Sequence, residues 1–488
     1  MVRIDRIVQA LESADLLLER RGELPRTVSS ITDDSRTVSP GGLFVAVRGT
    51  VADGHAYLDI VHERGAAMAI VEDASRTTLP ALVVRDGRRA AAVAARAAYD
   101  EPARDLRLVA VTGTNGKTTT VGMLRHLLDD PPGSAASIGT LGVLVGSEGG
   151  PLPGGSGLTT PGPVELQRVL RVLLDSGIRT VAMETSSHSL EQFRIEGVFF
   201  GAAVFTNFTR DHLDYHGTME AYFAAKAKLL EHLASGGVAV VNADDPSWRA
   251  LPVAGRRVSF GIESTDAHVR ASGIAFGPRG SEWTLSAGDE KRAVRLPLIG
   301  GFNVANALGA AAAAWSMGVP LRTVASRLES LPQVPGRLEI LAEHPTVLRD
   351  YAHTADALER ALDAVRPFTE QRLIVVFGCG GDRDRGKRPL MGGVAERMAD
   401  WIILTSDNPR NEDPERILDD IVAGMRGGKH ERIEDRHLAI ARALEIAQPS
   451  DVVLLAGKGH ETYQVRGTTR HPFDERVIVS ELMEHRRA

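Results

Sequence analysis

Thr112-Gly113-Thr114-Asn115-Gly116-Lys117-Thr118-Thr119-Thr120 follows an apolar run, Leu106 to Val111, and opens a helical pattern from about Lys117 to about Asp130. A continuous apolar run of this kind reads as a parallel strand buried on both faces. Strand, glycine-bearing turn, then lysine and hydroxyl at a helix start make a phosphate cradle. Glycines let backbone N–H groups close around an anion, and the helix N-terminus adds partial positive charge. In such a loop Lys117 neutralises terminal phosphate charge and the Thr118 hydroxyl ligates Mg²⁺. The strict pattern has glycine five residues before Gly116, where this chain has Val111. The Lys-Thr pair at the helix start outweighs that departure and the plainer reading of a glycine turn. A nucleoside triphosphate site is therefore expected on Gly113, Thr114, Asn115, Gly116, Lys117, Thr118 and Thr119.

Outward from the loop, residues 106–334 carry apolar runs at Thr180 to Met183, Ala202 to Phe205 and Val238 to Val241, alternating with helices such as Met219 to Leu233. That rhythm predicts a doubly wound, mostly parallel sheet with helices on both faces. Gly146 to Gly157, rich in Gly, Pro and Ser, reads as a mobile surface loop. Residues 1–105 hold short strands (Gly42 to Val47, Ala67 to Val71, Ala81 to Val84) and an Ala-rich helix, Arg88 to Tyr99, ended by Glu101-Pro102. Pro332-Gln333-Val334-Pro335-Gly336 reads as a linker into residues 335–488. There the αβ rhythm repeats: Thr346 to Leu348, helix Thr354 to Val365, Leu373 to Phe377, helix Lys387 to Ala399, Trp401 to Thr405 and Val452 to Leu455. The expectation is an α/β protein of three domains: a small N-terminal unit, a central phosphate-loop unit and a Rossmann-like C-terminal unit. A Pro/Gly hinge between two α/β units suggests a cleft that closes over its reactants.

Composition narrows the class. At 488 residues the chain is too long for one core. Hydrophobic content of 43% and charged content of 25% are those of a soluble globular protein. A net charge of -6 without blocks of like charge gives no field for nucleic acid or an anionic membrane. His485-Arg486-Arg487 reads as a solvated tail. The single cysteine, Cys379, excludes an intramolecular disulfide and a multi-thiolate metal site. Met1 to Ala10 has no apolar core for a signal peptide, and no window approaches a membrane span of ~20 apolar residues. A cytoplasmic monomer is expected.

Glu184, in Met183-Glu184-Thr185-Ser186-Ser187-His188, falls at a strand end, where open α/β sheets line their ligand crevice. A carboxylate there suits Mg²⁺; a helix N-cap network using Ser186 and Ser187 also explains the segment, and both can hold. The next strand ends in Thr206-Asn207-Phe208-Thr209-Arg210-Asp211-His212-Leu213-Asp214-Tyr215-His216, dense in titratable groups, with His212 able to face metal or phosphate. Taken alone, such a histidine is an ordinary surface hydrogen-bonder.

With these segments TGTNGKTT, METSSH and NFTRDHLDYHG in view, followed by YFAAKAKLL, the chain resembles the Mur ligases. GGFNVANALGAAAAA at 300–314, PGRLEIL at 335–341, DYAHTADALERAL at 350–362, GCGGDRDRGKRPLM at 378–391, DNPR at 407–410 and GKGHETYQ at 457–464 extend the likeness over the whole chain. The resemblance implies an ATP-dependent amide ligase of peptidoglycan precursor synthesis. It would join meso-2,6-diaminopimelate to the D-glutamate of UDP-N-acetylmuramoyl-L-alanyl-D-glutamate through an acyl phosphate. It implies that Lys117, Glu184, His212 and Lys226 are catalytic, with Lys226 N-carboxylated by CO₂. Thr118, Glu184, His212 and the carbamate would be metal partners. Without the family, Lys226 reads as a solvated helix lysine.

The same resemblance assigns Asn303, Asn306, Arg337 and Asp350 to the nucleotide, where capping by Asn303 is the plainer alternative. It assigns Ser35, Thr159, Thr160, Ser186, Gln192 and Arg194 to the UDP-muramoyl dipeptide. Arg383, Asp407, Asn408, Pro409, Arg410, Gly457 and Glu461 are assigned to diaminopimelate. Asp-Asn-Pro is also a plain turn signal. Arg410, however, can fork onto the distal carboxylate that distinguishes diaminopimelate from lysine, and lysine-adding relatives lack that arginine. His353 and His460 are expected as polar support near the cleft. Arg349 and Ala355 stand where the family usually has Val and Pro, and read as tuning or lineage drift. Two other specificities, L-lysine and LL-diaminopimelate, belong to the same reaction. A phosphate-loop kinase or nucleotide switch is the reading from another class, and it leaves DNPR, GKGHE and the first domain unexplained. A non-catalytic scaffold predicts loss of Lys117 or Glu184, and both are present.

Overall fold

The computed structural model describes residues 1–49, 52–155, 157–277, 279–427 and 430–487. Its backbone gathers into two compact units. The first is Met1–Arg270 with Leu285–Arg292 and Ala305–Arg327; the second is Ala271–Thr284 with Ala293–Val304 and Leu328–Ala488.

In the first unit, residues 1–105 build a five-stranded sheet in the order Leu17–Arg21, Ala81–Val84, Met68–Val71, Leu43–Val45 and Ile31–Thr32. Helix Gly87–Ala98 lies on it through a stripe of fully buried alanines, opened by Asp86, whose carboxylate accepts from the Arg88 and Arg89 N–H groups. The large sheet follows in the order Gly150–Leu152, Gly142–Val145, Ala135–Gly139, Thr180–Glu184, Arg107–Thr112, Phe200–Phe205, Leu233–Asn242 and Arg256–Gly261. Beyond Arg256–Gly261 the sheet continues through parallel pairing of Phe260 with Val269 and Gly261 with Arg270. Its central pairings are parallel, and Val109, Ala110, Val111, Ala203, Val204 and Phe205 are fully buried, as their uninterrupted apolar runs require.

The second unit holds a six-stranded sheet in the order Glu339–Glu343, Thr346–Asp350, Val452–Ala456, Leu373–Phe377, Trp401–Leu404 and His430–Arg432. All pairings but the first are parallel. Leu373–Phe377 is buried throughout, each side chain contributing roughly 1.5–3 kcal/mol of transfer free energy. Four adjacent parallel strands therefore deliver Asp350, the Gly457 loop, the Gly378 loop and the Asp407 loop to one carboxyl edge.

Three expectations need correcting. The segment 146–157, read as a mobile loop, contains strand Gly150–Leu152 paired antiparallel to Gly142–Val145, with Ser156 outside the described residues. The Asp129 carboxylate accepts from Ser147 N and Oγ, and Arg125 Nε donates to the Gly146 carbonyl, so a Gly-rich composition here is a tethered hairpin turn. The helix expected over 219–233 is α-helical over Met219–Ala227 and tightens to a 3₁₀ turn over Lys228–His232. His485 and Arg486 are exposed as expected, but 485–487 is not a loose tail: it closes helix Glu475–Arg487, and Arg486 donates to the Leu444 and Ala447 carbonyls at the carboxyl end of helix Arg436–Ile446. Among the described residues no helix is long and apolar enough to cross a membrane.

Two helical glycines should answer oppositely to alanine. A Cβ on Gly392 would fall 2.2 Å from the Ile421 carbonyl oxygen, whereas none of the surrounding atoms lies within 4 Å of one on Gly122. Gly392→Ala should lower unfolding free energy by about 1–3 kcal/mol, and Gly122→Ala should raise it by about 0.5–1 kcal/mol, read from urea unfolding curves.

Candidate active site

In the first unit three strands end side by side. Glu184 is in register with Val111, and Phe205 with Thr112. The phosphate loop therefore emerges between Glu184 and Thr206-Asn207. Asn207 clamps it: its carbonyl accepts from Thr114 N at 2.8 Å, and its Oδ1 from Asn115 N at 2.9 Å. Thr206 Oγ1 donates to the Asn115 carbonyl at 2.7 Å. Gly113 has φ +146, and a Cβ there would sit 1.9 Å from Thr206 Oγ1, so glycine is required. Gly116, at φ +84, lies directly against Asn306, whose Oδ1 would be 2.3 Å from an added Cβ. Lys117 begins helix Lys117–Leu127, and its ammonium donates to the carbonyls of Gly113 at 3.0 Å and Thr114 at 2.8 Å. Thr118 and Thr119 are buried in the first turn of that helix.

Lys226 is not a solvated helix lysine. It is 1% exposed, its Nζ donates to the same Gly113 carbonyl at 2.8 Å, and it lies 4.4 Å from the Tyr222 ring centroid. Burial, reinforced by the nearby Lys117 charge, pushes its pKa well below the usual lysine value. Glu184 is buried, its Oε1 accepting from Thr140 N at 2.8 Å and its Oε2 from Thr140 Oγ1 at 3.2 Å. The capping reading of its segment holds: Ser186 caps helix Ser187–Glu191 by accepting from Ser189 N. His212 stands edge-on to His188 at 4.8 Å, and His188 in turn meets Tyr215 at 4.2 Å and His216 at 5.3 Å. Burial, with His212 and His216 beside it, lowers the His188 imidazole to about 4. Among the described residues no three His, Cys, Asp or Glu side chains form a metal cluster.

A continuous polar path runs from this cluster toward the N-terminal sheet. Gln192 Nε2 donates to Tyr215 Oη at 3.1 Å, and Arg194 Nη2 donates to Gln192 Oε1 at 2.7 Å. Arg194 Nη1 donates to the Thr160 carbonyl at 2.9 Å. Thr160 Oγ1 bonds the Glu184 carbonyl and Ser186, while Thr159 Oγ1 lies 3.4 Å from Thr140 Oγ1. Ser35 opens a 3₁₀ turn capped by Asp34, and its carbonyl accepts from Arg64.

In the second unit, the Asp350 carboxylate accepts from Leu338 N at 2.7 Å and Ala352 N at 2.8 Å, and burial raises its pKa against the opposing pull of Arg337. Arg337 lies over the Tyr351 ring at 4.9 Å. Asn303 is fully buried and donates to the Ile299 carbonyl at 2.8 Å, a helix-start role. Arg410 and Arg383 border one glycine: a Cβ on Gly380 would lie 3.1 Å from Arg410 Nη1 and 3.7 Å from Arg383 Cγ. Arg410 has φ +51 and donates to the Gly381 carbonyl, and the Pro409 carbonyl closely abuts Gly381. Asp407 touches Gly457, where a Cβ would fall 2.6 Å from its Oδ2. Asn408 Nδ2 donates to Glu461 Oε2 at 2.8 Å. His353 Nδ1 bonds the Tyr351 carbonyl, and the His460 ring packs on Tyr351.

Arg349 is not idle drift. It is buried, donating to Glu339 at 2.6 Å and to Asp474 at 3.2 Å. For Ala355 the structure gives only its place as the first residue of helix Ala355–Val365.

A phosphate loop on a parallel sheet, followed by a second Rossmann-like unit whose carboxyl edge carries Arg383, Arg410, Asp407 and Glu461, is the architecture of a nucleotide-dependent ligase. Residues 27–108 match the Mur ligase family catalytic domain, 111–314 the Mur ligase middle domain, and 336–459 the Mur ligase glutamate ligase domain. The chain belongs to the Mur ligase family. It is 44% identical to the UDP-N-acetylmuramoyl-L-alanyl-D-glutamate–2,6-diaminopimelate ligase of Synechococcus elongatus, over 96% of this chain and 97% of the relative. A solved structure of a ligase with the same name is 34% identical and superposes with a TM-score of 0.68, covering 96% of this chain and 98% of the other. The fold also matches the MurF ligase of Thermotoga maritima in complex with ADP, at 21% identity and a TM-score of 0.64, covering 94% and 98%.

Sequence reasoning did not find Thr140, Asn207, Tyr222, His188, Tyr215 or Lys458. The density of His and Tyr over 188–222 was a signal for several of them; Thr140 and Lys458 carried none.

Burial, with the Arg337 and Arg349 guanidiniums nearby, holds the His460 imidazole at about 4. The unfolded chain protonates that ring near ~6.5 and the folded one only near 4, so its contribution is complete above ~6.5 and is lost as pH falls toward 4. His460→Gln should therefore show a shallower fall of Tm between pH 6.5 and 4 than the parent; parallel curves would contradict the assignment.

Proposed function

We propose that the chain is an ATP-dependent ligase that joins 2,6-diaminopimelate, in its meso form, to the D-glutamate side-chain carboxylate of UDP-N-acetylmuramoyl-L-alanyl-D-glutamate in peptidoglycan synthesis. The observation that carries the amino-acid assignment is the pairing of charges at the second unit's carboxyl edge. Arg410 and Arg383 border Gly380, and Glu461 is anchored on Asn408 across adjoining loops. Two guanidiniums and one carboxylate complement an α-amino-acid centre bearing both carboxylate and ammonium, which lysine lacks at its distal end.

The glutamyl carboxylate attacks the γ-phosphorus of ATP and ADP leaves, giving an acyl phosphate. The incoming amine then attacks the acyl carbon, phosphate departs, and the nitrogen loses its proton. Positioning and charge neutralisation supply most of the phosphoryl-transfer catalysis. Lys117 holds the terminal phosphate on the loop, with Asn306 against Gly116 and Arg337 and Asp350 for the ribose. Ser35, Thr159, Thr160, Ser186, Gln192 and Arg194 take the UDP-muramoyl dipeptide. The bonded path from Thr160 through Arg194 and Gln192 to Tyr215 supports this assignment.

Mg²⁺ would be held by Thr118, Glu184, His212 and a carbamate on Lys226. The donor chemistry fits only with the modification, because an unmodified Lys226 would bring a second amine beside Lys117. The lowered Lys226 pKa favours the amine form, which would add CO₂ and release a proton to give an N-carboxylate. When bound, the metal supplies charge neutralisation at the phosphates. Three domains meeting at residues 105 and 334, supported by three separate main sheets, and a monomer in the cytoplasm complete the reading.

Phosphate release from ATP with the UDP-muramoyl dipeptide should be robust with meso-diaminopimelate and weak with L-lysine, the LL form being run alongside to separate the epimers; turnover with lysine alone would overturn the assignment. Arg410→Met should cost diaminopimelate at least about tenfold in kcat/KM while leaving the already poor lysine rate nearly unchanged. Lys226→Ala should reduce kcat by about 100-fold or more with ATP binding retained in calorimetry, and near-normal turnover would remove Lys226 from the site.

A further inference from the structure

Lys458 is fully buried, a costly place for an ammonium unless every donor is matched. Glycines at left-handed φ flank it, Gly457 at +112 and Gly459 at +52, and both are closely packed. Their added Cβ atoms would lie 2.6 Å from Asp407 Oδ2 and 2.7 Å from Tyr351 Cβ. This Gly-Lys-Gly turn carries the lysine side chain under the Asp407 loop. There Nζ lies 3.1 Å from Asn408 Oδ1 and 3.1 Å from Glu461 Oε2, and 5.9 Å from the Tyr463 ring centroid.

A lysine can only donate, so Asn408 must present its carbonyl oxygen to Nζ. That oxygen also accepts from Val465 N at 2.9 Å. The amide's orientation is thereby fixed, and Nδ2 is directed to Glu461 Oε2 at 2.8 Å. Oε2 receives two donors, from Lys458 and Asn408. Among the described residues no donor reaches Oε1. One oxygen is pinned and the other is presented.

We infer that Lys458 is a specificity-determining positioning residue: by fixing Asn408 and one oxygen of Glu461, it aims the other oxygen at the distal ammonium of the incoming diamino-diacid. The inference rests on the reading of Glu461 as the acceptor for that ammonium. Lys458 itself touches no substrate, and its effect passes through Glu461.

The discriminating probe is 2-aminoheptanedioate, which keeps the chain and distal carboxylate of diaminopimelate and lacks the distal amine. Steady-state kcat/KM for the two acids should differ by about tenfold or more in the parent enzyme, the scale of a charge-assisted hydrogen bond. In Lys458→Met the preference should shrink toward unity through a higher KM for diaminopimelate, with KM for ATP and for the UDP-muramoyl dipeptide within about twofold of the parent. Lys458→Arg, still a donor, should recover part of the preference. Should the Met variant fail to fold by circular dichroism, Lys458→Gln, which satisfies one partner at a time, carries the same comparison. Glu461→Gln separates the two levels of the argument. Loss of preference in Glu461→Gln but not in Lys458→Met or Lys458→Gln, or equal loss of both acids in the Lys458 variants, overturns the role of Lys458. An unchanged preference in Glu461→Gln overturns the underlying reading of Glu461 and the inference with it.

Discussion

One carbonyl oxygen organises the nucleotide end of the molecule. Gly113 O accepts from Lys117 Nζ at 3.0 Å and from Lys226 Nζ at 2.8 Å. Two ammonium ions within reach of one oxygen repel each other strongly where water is scarce. The structure relieves the conflict in one direction: Lys226 is the buried partner, and its amine is the one driven toward neutrality. A buried amine whose pKa is held well below the usual lysine value, packed against Tyr222, is suited to chemistry that a surface lysine does not undergo. Thr206 and Asn207 clamp the residues on either side of Gly113, and Thr206 Oγ1 stands where a side chain at 113 would go.

The second unit solves a different problem by the same means. Parallel strands place loops that are far apart in sequence on one edge, so that Asp350, Gly378, Asp407 and Gly457 follow neighbouring strands. Close backbone approach then requires glycine. A Cβ on Gly378 would sit 2.0 Å from the Thr405 carbonyl, and one on Gly381 would sit 1.9 Å from the Pro409 carbonyl. Beneath these loops Arg388, fully buried, donates to Glu412 and Asp420 and to the Gly380 carbonyl. The loop that Arg410 and Arg383 border at Gly380 thus stands on an ionic base.

The sheets were legible because both faces are covered: 108–111, 373–377 and 452–455 read as unbroken apolar runs, and each is a buried strand. The phosphate loop was legible because its glycines and Lys-Thr pair are local. What could not be read was whatever depends on a distant partner. Composition places a lysine at the surface, yet Lys226 and Lys458 are among the most buried side chains, each held by groups 50 or more residues away. Asn303 and Asn306 share a helix start, but one serves the Ile299 carbonyl and the other meets Gly116, a difference that spacing alone cannot express. Glycine and proline at 146–157 signalled irregular backbone, and the Asp129 and Arg125 tethers that make it a hairpin lie on the preceding helix and the loop after it.

Arg349 shows what an apparent departure from pattern can mean. Buried as it is, it would be destabilising if unpaired, since removing one partner of a buried pair costs about 3–5 kcal/mol. It is paired twice, and Glu339, its main partner, also accepts from Gly336 N at 2.7 Å and from Arg476. Buried ion pairs add little net stability over apolar packing, so the network is better understood by what it orients. Glu339 closes the turn 336–339, whose Gly336 packs on the backbone of Gly459 and His460. That turn sets Arg337 over Tyr351 and brings Leu338 N to the Asp350 carboxylate. A valine at 349 would leave Glu339 with a buried charge held chiefly by an exposed arginine. Arg349 and the acidic residue facing it therefore act together, and what they hold in place is the turn 336–339 that carries Arg337.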